Sequence, residues 1–420
     1  MSERFNARVL KLDTPLQIRK QMEKIGASTP GVRIMAPKAA FRVMKVEGLN
    51  FAAANILKQE MLSRGGEVVT SRDVYSKKES KSDALVLGTL RQYKELIRKL
   101  RMQPFKSLKA LAGEMERSLA SYGGEELGSL EVGGRLFSWG AKTYVMGVVN
   151  VTPDSFSGDG LGDDVEAAIA QAARMVEEGA DLIDIGGEST RPGSQPVTEE
   201  EELRRVIPVV AGVRERTGAV IAIDTYRSRV AEEALATGAS MINDVWGLRM
   251  DPQVGEVAAR HNVPLVLMHN RSRPKDAAQT ERLGGRYLGV EYEDLMGDII
   301  RELRESIDLA LEAGVEREKI IVDPGVGFGK TVDQNLQLLA RMAELKVLGL
   351  PILLGASRKS FIGYTLDLPV EERVEGTAAA VAVGIANGAD IVRVHDVREM
   401  VRVARMTDSI VRHLGDEGGS

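Results

Sequence analysis

Residues 219–246 read AVIAIDTYRSRVAEEALATGASMINDVW, and they hold one complete turn of the pattern that decides the fold. The apolar run Val220–Ile223 ends in Asp224, a helical pattern covers Arg227–Thr237, and Gly238 interrupts it. A second apolar run, Met241–Ile242, then ends in Asn243-Asp244. Short apolar runs bounded by turn formers read as buried strands, and the stretch between them as a crossover helix, so the unit is strand, helix, parallel strand.

The unit repeats in both directions. Together with Tyr144–Val149, Leu182–Ile185, Leu265–Met268, Ile320–Val322, Ile352–Leu354 and Ile391–Val394 there are eight apolar runs, separated by helical patterns such as Val165–Glu178 and Thr377–Asn387. Eight such units over roughly 275 residues predict an α/β fold of the (β/α)8 TIM-barrel type. A doubly wound open sheet is the alternative, but even alternation over eight units favours closure.

Upstream, apolar runs at Arg8–Leu12, Phe41–Val46, Glu67–Thr70 and Ala84–Gly88 alternate with amphipathic stretches at Pro15–Ile25, Phe51–Ser63 and Leu90–Arg101, closed by a helix near Leu108–Leu119. The expected organisation is a small α/β domain over 1–120, a glycine-rich linker over 121–140 (SYGGEELGSLEVGGRLFSWG) and a catalytic barrel over 141–420. Charge divides the same way: residues 1–139 carry 25 Lys and Arg against 15 Asp and Glu, and the rest 31 against 46. The basic part mixes signs on its helices, as in Lys94-Glu95-Arg98, and has no groove-reading motif. A solvated basic face is therefore expected in preference to a nucleic-acid surface.

With 43% hydrophobic and 28% charged residues the chain can bury a real core, and with no cysteine it has no disulfide framework, thiolate metal site or Cys nucleophile. No signal-peptide pattern and no apolar stretch of about 18 residues occurs, so a soluble cytoplasmic protein without a membrane partner is expected.

Barrel enzymes build their sites where strands end, and here each run leads into polar residues: Asn150; Asp184 and Glu188-Ser189-Thr190-Arg191; Asp224; Asn243-Asp244; His269; Asp323; Ser357-Arg358-Lys359-Ser360; Arg393 and His395-Asp396. One such residue is an ordinary turn former or helix cap; eight together point to a shared pocket. Cations and amides suit a phosphate-bearing group, and buried carboxylates suit a heterocycle rich in N–H donors. Spacing gives no zinc cluster and no G-x-S-x-G elbow, while magnesium carried in with phosphate is allowed. Gly325–Thr331 imitates a phosphate-binding P-loop, but Pro324 stands where that motif needs its first glycine.

The strings MGVVNVTPDSFSGDG (146–160), DIGGESTRPG (184–193), IDT (223–225), INDVWG (242–247), LMHN (267–270), DPGVGFGK (323–330), GASRKSFIG (355–363) and RVHDV (393–397) occur in an order that resembles the dihydropteroate synthase family, from about residue 143 to 415. The resemblance implies condensation of 6-hydroxymethyl-7,8-dihydropterin diphosphate with 4-aminobenzoate on the folate pathway, with Mg2+ and a homodimer. It further implies that Asn150 meets magnesium and pyrophosphate, and that Arg393 and His395 clamp that anion. Asp224, Asn243, Asp323 and Lys359 would read the pterin, and Thr190, Arg191, Pro192, Phe328 and Ser360 would border the aminobenzoate. Thr152, Asp154 and Phe156 would belong to a mobile first loop, and Asp184 would order the second loop. Tyr226 stands where a small residue is expected, and Asn270–Tyr292 is longer than the family norm; its start, with Arg271, Arg273 and Lys275, either roofs the pocket or is a solvated loop, and the solvated loop is the preferred expectation. The rivals are a pterin-binding methyltransferase that shares the barrel and a non-enzymatic folate-pathway scaffold.

Overall fold

A computed structural model describes residues 5–12, 14–76, 81–123, 127–152, 164–189, 197–273, 276–280, 282–288 and 290–412. The chain divides into two compact units, 1–125 and 126–413.

In the first unit α1 (Pro15–Lys24) and α2 (Thr29–Ala39) precede β1 (Phe41–Leu49), α3 (Phe51–Leu62), β2 (Glu67–Thr70), α4 (Asp73–Ser76), β3 (Ser82–Thr89), α5 (Leu90–Met102) and α6 (Lys106–Tyr122). The strands form an antiparallel sheet in the order β1-β3-β2. Helix α5 starts where a capping box fixes it: Gln92 N–H donates to Thr89 Oγ1, and Thr89 N–H donates back to Gln92 Oε1 at 2.7 Å. Tyr93, Leu96, Ile97 and Leu100 on its apolar face join Leu57, Met61 and Val86 in a core of the unit's own. The Arg8–Leu12 run lies in irregular structure, with no strand paired to it among the described residues. Helix α2 contains Pro30 and Pro37, residues that read as breakers; Pro30 stands in the first turn, where the missing N–H leaves no intrahelical bond unmade.

The second unit opens with a hairpin, β4 (Ser129–Val132) and β5 (Arg135–Ser138), inside the stretch expected as a linker. Gly133 and Gly134, at φ +55° and +79°, supply the two left-handed residues of a tight two-residue turn, so these glycines build a strand pair and not a tether. The hairpin presents Leu130, Val132 and Phe137, followed by Trp139, to the lower interior of the barrel. Phe137 and Trp139 pack on Tyr144 with ring centroids 4.6 and 5.7 Å away. The expected boundary near residue 140 therefore moves to about 126.

The barrel proper runs β6 (Tyr144–Asn150), α7 (Val165–Glu177), β7 (Leu182–Gly186), α8 (Glu199–Arg216), β8 (Val220–Asp224), α9 (Ser228–Thr237), β9 (Met241–Asp244), α10 (Gln253–His261) and β10 (Leu265–Met268). A second hairpin follows, β11 (Ala277–Thr280) and β12 (Gly284–Tyr287). Then come α11 (Leu295–Glu312), β13 (Ile320–Asp323), α12 (Val332–Arg341), β14 (Leu353–Leu354), α13 (Ser360–Leu366), α14 (Val374–Ala386), β15 (Ile391–Val394) and α15 (Val397–Val411). Every pairing in the order β13-β10-β9-β8-β7-β6-β15-β14 is parallel, and a parallel bridge between Val322 and Ile352 joins the two ends into a closed barrel.

Strand periodicity of two sets what the barrel holds. Val145, Ile183, Ile221, Ile242 and Val322 face the helices. Met146, Leu182, Val220, Ala222, Met241, Val266, Ile321 and Ile391 face inward and fill the lower barrel with the first hairpin. The next residues of that inward register are Asp184, Asp224, Asn243, Asp323 and Arg393, at the strands' C-terminal ends. Polar chemistry thus sits directly on an apolar plug.

Candidate active site

One cavity at the strands' C-terminal ends is lined by Asn150, Thr152, Asp224, Asn243, Asp323, Phe328, Lys359, Ser360, Arg393 and His395, all of them expected site residues. Thr190, Arg191, Pro192, Asp154 and Phe156 lie outside the described residues; their neighbours Glu188, Ser189 and Thr152 reach the same cavity.

The floor is an ionic lattice. Arg393 Nε donates to Asp184 Oδ2 at 2.5 Å and Nη2 to Asp224 Oδ2 at 2.7 Å, while Asn243 Nδ2 donates to Asp184 Oδ2 at 3.2 Å. Arg393, expected on the anion, thus bridges two carboxylates, and Asp184, expected to order the second loop, is fully buried beneath it. Burial pushes the Asp224 carboxyl up to about 7; Arg393 opposes the rise and Asp184 adds to it. Burial opposes the charge on Arg393, but the two carboxylates outweigh that and hold its pKa above the usual guanidinium value. Burial likewise raises Asp323 to about 6, against an N–H donated by Gly325 at 2.7 Å and the positive charges of Lys359 and Arg393. A buried Asp184 Oδ1 has no hydrogen-bond partner among the described residues. A donor-rich heterocycle suits this floor.

The walls come from the turns. Lys359, in extended conformation just before α13, places Nζ 4.0 Å from the Phe328 ring centroid. Phe328 itself packs with Val245 and Met268, so packing and cavity lining coincide in one ring. His395 N–H donates to Ser357 Oγ at 3.1 Å, and its Nδ1 lies 3.0 Å from the same oxygen. Arg358 also reaches the cavity, at φ +54°, but a two-pronged pair with Asp396 at 2.6 and 3.0 Å engages its guanidinium.

Several polar strand ends turn away from the cavity. Asp244 accepts N–H bonds from Trp246 and Leu248 at 2.8 and 2.7 Å and shapes its own turn. His269 lies 3.0 Å from Lys330 Nζ through Nδ1 and 3.1 Å from Glu302 through Nε2. Burial, with Lys330 adding to it, drops the His269 pKa to about 3, so the ring is neutral. Lys330 ends in three bonds, to His269 Nδ1 and to the carbonyls of Gly325 and Phe328 at 2.9 and 3.1 Å, and thereby fixes the turn that carries Asp323 and Phe328. Gly325, at φ +67°, admits the close approach: a Cβ there would stand 1.8 Å from the His269 carbonyl oxygen.

Two expectations change shape. Tyr226 packs against the cluster of Val245, Met268 and Phe328 beside the cavity, and its hydroxyl donates to Glu188 at 3.1 Å while Arg227 holds the other oxygen of Glu188 at 2.7 Å and also pairs with Glu202. The solvated loop expected over Asn270–Tyr292 is instead the β11–β12 hairpin, whose tip, Leu283-Gly284-Gly285, lines the cavity. Alternation is weak in Ala277–Thr280 and in Gly284–Tyr287, which opens with two glycines, and that is why periodicity does not reveal it. Arg271, at its start, faces Glu302 and Asp298 and lies 4.2 Å over the Tyr292 ring centroid. Among the described residues no group of three His, Asp or Glu side chains is placed to cage a metal.

A closed (β/α)8 barrel with a buried carboxylate and amide floor, rimmed by Lys359, His395 and Asn150, defines a barrel-enzyme site whose donors and acceptors suit a polar heterocycle next to an anion. The chain belongs to the pterin binding enzyme family, whose model matches residues 146–395. The dihydropteroate synthase of Clostridium beijerinckii is 49% identical over 284 residues, 67% of this chain and 100% of that protein. A probable bifunctional folylpolyglutamate synthase/dihydropteroate synthase of Halobacterium salinarum is 40% identical over 392 residues, 93% of this chain and 45% of that longer protein. Among solved structures, the dihydropteroate synthase of Clostridium difficile in the presence of pteroic acid superposes with a TM-score of 0.60 at 48% identity, over 66% of this chain and 99% of that one.

Proposed function

We infer that the chain condenses 6-hydroxymethyl-7,8-dihydropterin diphosphate with 4-aminobenzoate to give 7,8-dihydropteroate and pyrophosphate, a transferase step of folate biosynthesis. The observation that carries the reading is the convergence of Asp224, Asn243, Asp323 and Lys359 on one cavity, in a barrel 49% identical to a curated synthase along that synthase's whole length.

On this reading the buried carboxylates and Asn243 accept from and donate to the pterin edge, and Arg393 bridges Asp184 and Asp224 and holds them in place beneath it. Lys359 lies over the ring system beside Phe328. Asn150 and His395, on strand ends one barrel position apart, meet the diphosphate. As the C–O bond to pyrophosphate breaks, charge grows on the departing oxygens, and fixed donors at the rim stabilise it without reorganising. The aniline nitrogen attacks the methylene carbon and loses its proton to water or the leaving pyrophosphate. The work of the barrel is positioning and charge stabilisation.

The amide oxygen of Asn150, with no carboxylate cage around it among the described residues, suits a magnesium ion that arrives on the diphosphate and keeps most of its water. When bound it would neutralise part of the diphosphate charge. Ser360 and Phe328, with Thr190, Arg191 and Pro192 of the second loop, would border the aminobenzoate, and Thr152, Asp154 and Phe156 would belong to the first loop beside it. A homodimer in the cytoplasm completes the reading.

The test is pyrophosphate release from pterin diphosphate. Release that requires both magnesium and 4-aminobenzoate is the expected result; pterin binding without release would move the assignment to a scaffold, and methyl transfer from a methylated pterin would move it to the methyltransferases.

A further inference from the structure

We propose that the β11–β12 hairpin, locked in place by Arg373, is the outer wall of the second-substrate compartment and limits the length of the aryl amine that enters. The inference rests on the synthase reading above.

The hairpin leaves β10 and reaches α13, so it spans the turn after β13 that carries Phe328. Its tip residues Leu283, Gly284 and Gly285 share the cavity with Phe328, Lys359 and Ser360. With the pterin on the barrel floor, the amine of the second substrate points inward and its para substituent points outward, toward the rim where this tip stands.

Arg373 makes the wall rigid. Its side chain is 2% exposed and forms no ion pair among the described residues. The guanidinium instead donates to the Leu368 carbonyl from Nε and Nη2 at 3.1 and 3.0 Å, to the Arg358 carbonyl at 3.0 Å and to the Leu283 carbonyl at 3.1 Å. One buried fork therefore ties the hairpin tip to the turn that positions Lys359 and to the segment before α14. A place is made for it on α13: a Cβ on Gly363 would stand 2.1 Å from its Nη2. Tyr364 adds a second anchor, its hydroxyl donating to the Gly284 carbonyl at 3.2 Å and lying 3.0 Å from Thr280 Oγ1. Arg282 donates to the Asp367 carbonyl at 2.8 Å, and the Arg286 guanidinium lies 4.3 Å from the Tyr364 ring centroid. So many ties hold a hairpin that would otherwise be free, and they fix the distance from floor to wall.

The test compares kcat/KM for 4-aminobenzoate and for the longer 4-aminobenzoylglycine in the full chain, in Leu283→Ala and in Arg373→Lys. Shortening the half-buried Leu283 opens the wall, and Arg373→Lys keeps the charge while losing the planar fork. Both variants should raise the ratio of the longer to the shorter amine about tenfold, through KM for the amine; KM for pterin diphosphate should stay unchanged in Leu283→Ala, and Arg373→Lys, which also releases the turn that carries Lys359, is read on the amine ratio alone. Ratios within about twofold of the parent would overturn the inference, and if Arg373→Lys fails to fold, Leu283→Ala decides alone. A parent chain that turns over neither amine overturns the synthase reading and this inference with it, a result distinct from an active chain with unmoved selectivity.

Discussion

Lys359 stands just before α13 and lines the cavity. A lysine just before a helix opposes the helix dipole, which marks it as a ligand group; the structure adds that its ammonium lies 4.0 Å over Phe328, inside the cavity. Lys359→Ala is expected to lower kcat/KM for pterin diphosphate at least about 100-fold while the thermal midpoint stays within about 2 °C, as read by calorimetry beside kinetics. The floor carboxylates give a second expectation. Asp224 and Asp323, raised to about 7 and about 6, take up protons as the pH falls through those values, and a protonated carboxyl can no longer accept two N–H bonds. The profile of kcat/KM for pterin diphosphate should therefore fall on the acid side with apparent pKa values between about 6 and 7. A flat profile from pH 5 to 8 would show that neither group must be ionised to bind. Polar strand ends were legible as a set, but their directions were not. Met268 lines the cavity and His269 turns away, because neighbouring residues on a strand face opposite sides.

Among elements, the eight parallel strands were legible because apolar runs of their length, bounded by turn formers, have few other uses, and their helices because the period changes between them. The two hairpins were not. Each is built of four-residue strands and carries paired glycines, too short a run for period to outweigh composition, so composition describes it as linker or loop. Tertiary packing gives each a task, one as the plug under the barrel and one as a wall above it. Phe137→Ala tests the plug: losing a ring that is 2% exposed should cost about 3–5 kcal/mol by denaturant unfolding, with KM for both substrates unchanged because the site lies at the other end of the strands. An equal loss of substrate affinity would show that the plug and the floor are coupled.

For the whole molecule, separate cores in the two units predict separate folding. A chain starting at residue 127 should fold and keep pyrophosphate release within about threefold of the full chain, because the curated relative matched along its whole length covers little more than the barrel. One starting at 141 lacks the plug and should melt at least about 5 °C lower than that from 127, by loss of buried aromatic contacts. Equal melting would return the boundary to residue 140. The sequence by itself determined the barrel, the ring of polar strand ends and the chemistry they suit, because period, run length and residue type are local properties that survive without a partner. Only the tertiary structure decided which of those ends meet. It set Arg393 between Asp184 and Asp224, sent His269 to Lys330 and Glu302, and brought Leu283 to Lys359 through Arg373. Such contacts join residues up to 209 positions apart, and closure of the barrel, which no local pattern encodes, brings them together.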